Sequence, residues 1–246
     1  MKIGVIGYGK MGKLIREVAL TRGHTVTTID PFAADADFKQ ITAESVADVS
    51  VCIDFTTPTV VIENIEKLIS LKKGIVVGTT GWYDKVDYVK NLVDKNEVAL
   101  MYASNFSLGV NIFYQIVRRA AALMNKVDNY DVCGIEYHHS QKADSPSGTA
   151  QTLSEIILSE MQRKEKVVFD IVDRKIEPKE LHFASVRCGS FPGTHEISFD
   201  SSADTISLKH TARNRDGFAY GAVLAAEWIS CSKGFFTIDD FITSIL

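Results

Sequence analysis

The sequence of 246 residues contains little cysteine, no long apolar run and no cluster of basic residues. Its four cysteines, Cys52, Cys133, Cys188 and Cys231, form no CxxC pair, which indicates neither a disulfide framework nor a zinc knuckle. No apolar run approaches the roughly 18 residues that cross a bilayer, and the first apolar run is too short for a signal peptide. We therefore expect a cytoplasmic protein without a membrane partner.

The charge of the chain favours a small-molecule function. The formal net charge is -4 and no Lys/Arg-rich tract is present, so the sequence gives no electrostatic reason to expect a nucleic-acid partner. Hydrophobic residues make up 46% of the chain, which is enough to bury a substantial core in one large domain or two smaller ones. We expect a globular protein that acts on a small molecule.

The N-terminal part of the chain alternates between short apolar runs and amphipathic stretches. Runs rich in Val and Ile predict strands at residues 2–6, 25–29, 49–54, 75–78 and 98–102, and helical spacing predicts helices at residues 11–21, 58–71 and 83–95. Strands that alternate with helices are joined by right-handed crossovers and form a parallel sheet. The pattern predicts a Rossmann-like, doubly wound α/β domain.

After residue 105 the pattern changes. It predicts helices at residues 110–124 and from 150 to about 164, and strands at residues 130–137, 181–188, 195–199 and 205–211. This order favours an α+β domain with a mixed or antiparallel sheet. The end of the chain is helical again and could pack on the first domain or extend the second. We place a dinucleotide-binding domain at residues 1–107 plus 216–246, and a substrate-binding and oligomerisation domain at residues 108–215.

Three glycines follow the first predicted strand in the spacing G-x-G-x-x-G. Such a loop allows a tight turn, a close approach of backbone amides to a pyrophosphate, and close packing of the helix on the strand. The next strand ends at Asp30, whose carboxylate can accept hydrogen bonds from the adenosine ribose hydroxyls. The predicted cofactor-binding residues of the loop are Gly7, Tyr8, Gly9, Lys10, Met11 and Gly12.

Two further loops follow predicted strands, where open α/β sheets bind their ligands. Their small residues and hydroxyls would let a nicotinamide ring approach the backbone. As ordinary turns they would need no such explanation, and the glycine loop is what favours the cofactor interpretation. The predicted cofactor-binding residues here are Gly78, Thr79 and Thr80 after the fourth strand, and Ala103, Ser104, Asn105 and Phe106 after the fifth.

Asp30 also bears on the choice between NADH and NADPH. Its carboxylate would repel a 2′-phosphate, and no arginine follows it, which favours NADH. Lys10 could instead reach a 2′-phosphate from the other side. Either cofactor is therefore compatible with the sequence, with a mild preference for NADH.

A second polar cluster lies in the stretch EYHHSQKADSPSGTA. A predicted strand carries His138 and His139 at its end, and Ser147 or Thr149 stands near the cap of the next helix. A helix start, the imidazoles and Lys142 would form a pocket for a substrate with carboxylates. Because histidine titrates near neutrality, one of the pair can also supply a proton during a reduction.

A metal site is the competing interpretation of this stretch. His138, His139 and Asp144 offer nitrogen and oxygen ligands. Adjacent residues of a strand point to opposite faces, however, so the two histidines cannot easily share one ion. We therefore predict no metal.

The same stretch resembles the signature of dihydrodipicolinate reductases, E-x-H-H-x-x-K-x-D-x-P-S-G-T-A. The likeness extends over nearly the whole chain. It includes the glycine loop, Asp54-Phe55-Thr56, Gly78-Thr79-Thr80-Gly81, Asn105-Phe106-Ser107, the cluster of Arg187, Gly189, Gly193 and His195, and Arg215 with Phe218-Ala219-Tyr220-Gly221-Ala222. The chain departs from the family in its glycine loop, which many members have in the longer form G-x-x-G-x-x-G.

The resemblance implies an enzyme that reduces 4-hydroxy-tetrahydrodipicolinate to tetrahydrodipicolinate with NADH or NADPH and releases water, on the route to diaminopimelate and lysine. Carried over by position, it implies that His138 is the proton donor and that Lys142 is a second donor that also meets the substrate. The residues that would hold the substrate carboxylates are His139, Ser147, Gly148 and Thr149. Family members are typically homotetramers whose second-domain sheets pack together, so we expect a homotetramer.

Two other functions remain compatible with the residues themselves. An oxidoreductase with the same two-domain organisation that acts on an amino-acid semialdehyde would need a catalytic cysteine. None of the four cysteines lies in a loop that is typical of a catalytic nucleophile. A non-catalytic dinucleotide sensor would need Asp30 and the glycines but not the histidine and lysine cluster.

Overall fold

The structure is a computed structural model that describes residues 1–245. It divides into two compact units. The first comprises Met1–Leu108 together with the chain from Arg215 onward, and the second is Gly109–Asn214. The limits expected from the sequence lie one residue away, at residues 107 and 216. The roles of the two units in binding remain predictions.

The strands of the described residues fall into two sheets. In chain order they are β1 (Lys2–Ile6), β2 (Thr25–Ile29), β3 (Val51–Asp54), β4 (Gly74–Val77), β5 (Ala99–Tyr102), β6 (Asp131–His138), β7 (Lys166–Val168), β8 (Glu180–Arg187), β9 (Thr194–Asp200), β10 (Thr205–Thr211) and β11 (Gly234–Thr237).

The helices of the described residues, in the same order, are α1 (Lys10–Thr21), α2 (Val61–Ser70), α3 (Val86–Asn96), α4 (Leu108–Met124), α5 (Gly148–Glu160), α6 (Asp216–Ile229) and α7 (Ile238–Ile245). A 3-10 turn at Tyr83–Lys85 precedes α3. Among residues 1–245, no helix combines the length and the apolar character that crossing a membrane would require.

The first unit is a doubly wound parallel sheet. Its strand order is β11-β5-β4-β3-β1-β2, and every neighbouring pair is parallel. Helices α1, α6 and α7 bury apolar residues against one face, and α2 and α3 against the other. Strands covered on both faces read as continuous apolar runs, and all four residues of β3 are buried.

The second unit is a mixed sheet with helices on one face. Its strand order is β10-β9-β6-β8-β7. Strand β9 is antiparallel to β10 and β6, whereas β8 is parallel to β6 and β7. The core joins Phe113 and Val117 of α4 and Leu153 of α5 to Phe183 and Phe199 of the sheet. Both parts of the predicted fold class are confirmed.

Two strands escaped prediction from the sequence. Strand β7 has three residues, which are too few for an alternating pattern to be detected. Strand β11 lies between the two C-terminal helices and pairs in parallel with β5, so its contacts are remote in the chain. Of the two placements considered for the C-terminal helices, packing on the first unit is the one observed, because α6 and α7 bury Val223 and Phe241 in its core.

Helix α6 approaches the backbone too closely for a side chain at Gly221. An ideal Cβ at that position would lie 1.7 Å from the carbonyl oxygen of Phe106. We expect Gly221→Ala to lower the free energy of unfolding by about 1–3 kcal/mol or more, because the obstacle is backbone. Thermal and urea denaturation measure the effect.

The same helix provides the control. At Gly217 the nearest atom to an ideal Cβ is the side-chain Oγ of Ser107, at 3.3 Å. A side chain can move where a carbonyl cannot, and alanine is a better helix former than glycine. Gly217→Ala should therefore change stability much less; equal losses for the two variants would contradict the packing argument.

Candidate active site

The glycine loop of the first unit joins β1 directly to α1. Gly9 is the N-cap of α1, with no side chain bonded to the cap and no acidic residue in the first turn. Gly7 has φ +87°, which favours glycine, and an ideal Cβ on Gly12 would lie 2.1 Å from the carbonyl oxygen of Gly7. The helix start therefore presents its amide dipoles to an anion without an acidic residue in its own first turn.

A cavity of about 340 Å³ opens beside this helix start. An ideal Cβ on Gly9 would meet no atom within 4 Å, so the glycine borders open space. The cavity is lined by Gly9, Lys10, Met11, Phe55, Thr56, Pro58, Gly78, Thr79 and Thr80. Six of these were predicted from the sequence as cofactor-binding residues. Phe55, Thr56 and Pro58 were not, although they follow β3 at the same sheet edge, which is the signal that could have identified them.

Asp30, at the end of β2, is held by the glycine loop. Its carboxylate accepts hydrogen bonds from the backbone N–H of Tyr8 at 2.7 Å, of Phe32 at 2.7 Å and of Ala33 at 3.0 Å. Burial alone would raise the pKa of Asp30, but these donors bring its pKa below the ordinary value. Asp30 is therefore an anion at neutral pH beside the loop, as a ribose-binding carboxylate would be.

The other predicted cofactor residues lie in the loops at the carboxyl edge of the parallel sheet but do not line the cavity. The loop after β5 begins at Ala103, whose backbone N–H donates to the carbonyl oxygen of Val77 in β4. Phe106 is buried, and its ring centroid lies 6.2 Å from that of Phe55. Asn105 accepts a hydrogen bond from the backbone N–H of Ser107. The predicted residues that do not line the cavity are Gly7, Tyr8, Gly12, Asp30, Ala103, Ser104, Asn105 and Phe106.

A buried carboxylate fixes two of the cavity loops. Asp54 ends β3, is fully buried and accepts hydrogen bonds from the Thr79 hydroxyl at 2.8 Å, the Asn64 amide at 2.9 Å, and the hydroxyl and N–H of Thr56. Burial raises the pKa of Asp54 above its ordinary value, against the effect of these donors. The carboxylate thus ties the loop after β3 to the loop after β4.

In the second unit, strand β6 delivers Glu136 and His138 to the same buried face. Residues two apart on a strand share a face, and both side chains are buried. His195 lies opposite Glu136 in the register of β9. Ser147 is the N-cap of α5, and its Oγ accepts a hydrogen bond from the N–H of Ala150 at 3.2 Å. That Oγ also lies 3.1 Å from Nε2 of His195.

Glu136 connects these groups. Its Oε1 accepts hydrogen bonds from the Ser147 N–H at 3.0 Å, the Ser185 hydroxyl at 2.7 Å and the Arg187 guanidinium at 3.1 Å. Burial would raise the pKa of Glu136, but its hydrogen bonds from His195, Ser147 and Ser185 outweigh burial and hold the pKa far below the ordinary value. The carboxylate therefore stays ionised across the physiological range.

The pKa of His138 is lowered to about 4. Burial is the largest cause, and it outweighs the charge of Glu136, which raises the pKa; His195, Lys142 and Arg187 lower it further. The imidazole is therefore neutral at neutral pH when no ligand is bound. An added anion in this pocket would favour its protonated form.

The remaining predicted residues lie in the loop between β6 and α5 and at the helix start. Lys142 donates to both carboxylate oxygens of Asp144, at 2.7 and 2.8 Å, and so is paired within its own loop. The backbone carbonyl of His139 accepts from the N–H of Lys142. Gly148 and Thr149 lie in the first turn of α5, directly after its N-cap Ser147.

The charges around Glu136 oppose the binding of a metal ion. Within residues 1–245, Glu136, His138 and His195 bring one nitrogen or oxygen each to within 4.8 Å of one another, whereas His139 and Asp144 do not join them. The Arg187 guanidinium already neutralises the carboxylate at 3.1 Å, which opposes a further cation. We assign the cluster to hydrogen bonding.

Two family models match the chain. "Dihydrodipicolinate reductase, N-terminus" matches residues 1–106, and "Dihydrodipicolinate reductase, C-terminus" matches residues 109–242. The chain belongs to the dihydrodipicolinate reductase family. The family, the reductase function and the oxidoreductase class expected from the sequence are confirmed, together with a pyridine nucleotide as cofactor.

Individual relatives agree with this family. A 4-hydroxy-tetrahydrodipicolinate reductase of Christiangramia forsetii is 37% identical over 245 residues, which are 100% of this chain and 99% of the relative. Another, from Buchnera aphidicola subsp. Schizaphis graminum, is 36% identical over 201 residues, covering 79% of this chain and 72% of the relative.

Solved structures support the fold. A dipicolinate-bound dihydrodipicolinate reductase from Paenisporosarcina sp. TG-14 superposes with a TM-score of 0.78 at 22% identity, over 98% of both chains. An amine dehydrogenase from Mycobacterium smegmatis gives a TM-score of 0.61 at 10% identity, over 95% of this chain and 93% of that one. At these identities the likeness shows the fold alone.

The glycine loop yields a test of cofactor binding. We expect Gly9→Ala to fold with nearly unchanged stability, since its Cβ would meet no protein atom within 4 Å, and to bind NADH more weakly because the methyl group occupies the open space at the helix start. NADH fluorescence titration and thermal denaturation measure the two properties. Gly12→Ala, where the Cβ meets a carbonyl at 2.1 Å, should lose stability as well. Unchanged NADH affinity in Gly9→Ala would remove the pyrophosphate from this position.

Proposed function

We propose that the first unit binds NADH or NADPH and that the second unit binds 4-hydroxy-tetrahydrodipicolinate, which the enzyme reduces to tetrahydrodipicolinate with release of water on the route to diaminopimelate and lysine. The observation that carries the assignment of residues is the buried His138 beside Glu136, whose carboxylate also accepts a hydrogen bond from Ser147 at the start of helix α5. The family of the chain supports the reaction, and the geometry supports the roles that follow.

The first unit would hold the dinucleotide at the glycine loop. The start of α1 would receive the pyrophosphate, Asp30 the adenosine ribose, and the cavity lined by Gly78, Thr79 and Thr80 the nicotinamide end. The bound cofactor supplies a hydride. Asp54 would keep the loops after β3 and β4 in place through the hydrogen bonds that it accepts from Thr56 and Thr79.

The second unit would hold the substrate by its carboxylates. The first turn of α5, with Ser147, Gly148 and Thr149, offers backbone amides to an anion. Lys142 lies in the adjoining loop, and its partner Asp144 has a side chain that is 61% exposed, so a substrate carboxylate can compete for the ammonium group. His139 completes the predicted set of carboxylate contacts.

The proton would come from His138. The ring carbon that accepts the hydride passes an electron pair to its conjugated neighbour, which needs a proton. The pKa of His138 is about 4 without ligand, and a bound dianion would raise it because negative charge favours the imidazolium form. Binding of the substrate would thus favour the imidazolium form of His138, which is the acid that the reaction needs.

An assay in which an upstream synthase generates the unstable substrate tests the reaction directly. We expect kcat/KM to be higher with NADH than with NADPH, because the Asp30 carboxylate is an anion at the ribose position. A higher value with NADPH would instead assign the 2′-phosphate to Lys10, which lines the cavity.

Replacing Lys142 tests the substrate site. We expect Lys142→Ala to lower kcat on the order of a hundredfold, the usual cost of one charge-stabilising group, and to leave NADH affinity nearly unchanged. Lys209→Ala is the control, because Lys209 is an exposed lysine of the same unit, paired with Glu196. Wild-type turnover in the Lys142 variant would refute its role.

A titration distinguishes the enzyme from a dinucleotide sensor. Pyridine-2,6-dicarboxylate, also called dipicolinate, is a planar dianion that resembles the substrate. The related Paenisporosarcina structure holds this compound. The compound should bind this protein in the presence of NADH and inhibit the reaction competitively, whereas a sensor would ignore it.

We further propose that the protein is cytoplasmic and forms a homotetramer. Light scattering of the purified protein would test the oligomeric state.

A further inference from the structure

In the second unit, the buried Oε2 of Glu136 lies between two imidazoles, 3.4 Å from Nδ1 of His138 and 3.3 Å from Nε2 of His195. Within residues 1–245, neither Oε2 of Glu136 nor Nδ1 of His138 makes a hydrogen bond of good geometry. They lie 3.4 Å apart, and Glu136 is fully buried. A buried nitrogen without a hydrogen bond is costly, and the charged Oε2 is an acceptor within reach of Nδ1. A proton on Nδ1 reduces that cost even though His195 also approaches Oε2.

The chemistry of the two groups decides where that proton lies. Oε1 of the same carboxylate already accepts hydrogen bonds from Ser147, Ser185 and Arg187, so the group is anionic and can only accept. Nδ1 must therefore be the donor. A neutral imidazole carries one proton, which leaves Nε2 without one.

The opposite nitrogen faces space that a glycine leaves open. An ideal Cβ on Gly193 would lie 3.1 Å from Nε2 of His138, and Gly193 has φ +145°. The backbone conformation strains any side chain there, and a Cβ would also crowd the imidazole. Nδ1 thus lies against Glu136, whereas Nε2 borders the position that Gly193 keeps free of a side chain.

We propose that Glu136 is a positioning residue that keeps the proton of neutral His138 on Nδ1, so that Nε2 is the atom that carries a proton to the substrate. The inference rests on the proposed function, in which His138 is the acid. In the reaction Nε2 takes up a hydronium or buffer proton from the solvent when the dianion binds, and gives it to the ring carbon that holds the new electron pair. Glu136 itself keeps its charge throughout.

Other charged groups around the imidazole oppose the carboxylate. His195 of β9 has its ring centroid 5.2 Å away, and Arg187 of β8 and Lys142 of the following loop both disfavour the imidazolium. The charge of Glu136 favours it and raises the pKa of His138. Removing its charge should therefore make His138 harder to protonate, and the pH above which kcat declines should fall.

The wild-type protein can test the position of the proton without any change to Glu136. Two-bond ¹H–¹⁵N correlation spectra report the tautomer of a neutral histidine, and His138→Gln identifies the signal of His138. We expect Nδ1 to carry the proton and Nε2 to have the shift of an unprotonated nitrogen. A neutral His138 protonated at Nε2 would overturn the proposal.

Glu136→Gln tests the consequence for catalysis. We expect kcat to fall on the order of a hundredfold, since a positioned proton donor is worth about that much, and the alkaline limb of its pH profile to move to lower pH by about one unit or more. NADH affinity should be unchanged. A variant with the kcat and pH profile of the wild type would overturn the proposal.

Glu180→Gln is the matched control. Glu180 is another buried glutamate of the second unit, paired with Arg174 and Lys166. Its replacement should lower stability without moving the tautomer of His138 or the pH limb; a limb that moves equally in both variants would overturn the proposal. If Glu136→Gln fails to fold, the wild-type tautomer decides. A wild-type protein without reductase activity would refute the proposed function, whereas the tautomer would still test the position of the proton.

Discussion

A carboxylate removed from water must receive hydrogen bonds from the protein in place of those it loses. Each unit of this chain contains such a group at or near the end of a strand, Asp54 in the first and Glu136 in the second. Their donors come from separate loops and strands, so satisfying one carboxylate fixes the relative positions of several segments. The proposed cofactor and substrate regions are organised around these groups.

The two carboxylates differ in the charge of their partners. Asp54 receives neutral donors from Thr56, Asn64 and Thr79, and burial raises its pKa. Glu136 receives a guanidinium and faces two imidazoles, and its pKa is lowered despite burial. The first therefore acts chiefly as a geometric anchor for cavity loops. The second also lies against His138, the proposed proton donor, and its charge favours the protonated imidazole.

Much of this arrangement could be predicted from the sequence. Local signals identified the alternation of strands and helices, the glycine loop and the cap of α5, because each depends on neighbouring residues. The shared face of Glu136 and His138 was also accessible from their spacing of two. The register that sets His195 opposite Glu136 was not, since it depends on pairing between distant strands.

The pairing of Lys142 with Asp144 shows a different limit. Both residues were recognised as polar groups near a substrate site, but the sequence did not indicate that they would bind each other. A short loop allows such a local ion pair, and only three-dimensional geometry decides between it and an outward-facing ammonium group. Strand β11 was missed for a similar reason, because its pairing depends on β5, which is remote in the chain.

The position of β11 also constrains how the chain matures. The first unit combines residues 1–108 with the chain from Arg215 onward, while the second is one continuous stretch. During synthesis the continuous unit emerges in full before β11 is made, so the part of the protein that begins first is completed last. Until then β5 has an uncovered edge, the kind of surface at which nascent chains associate wrongly or recruit chaperones.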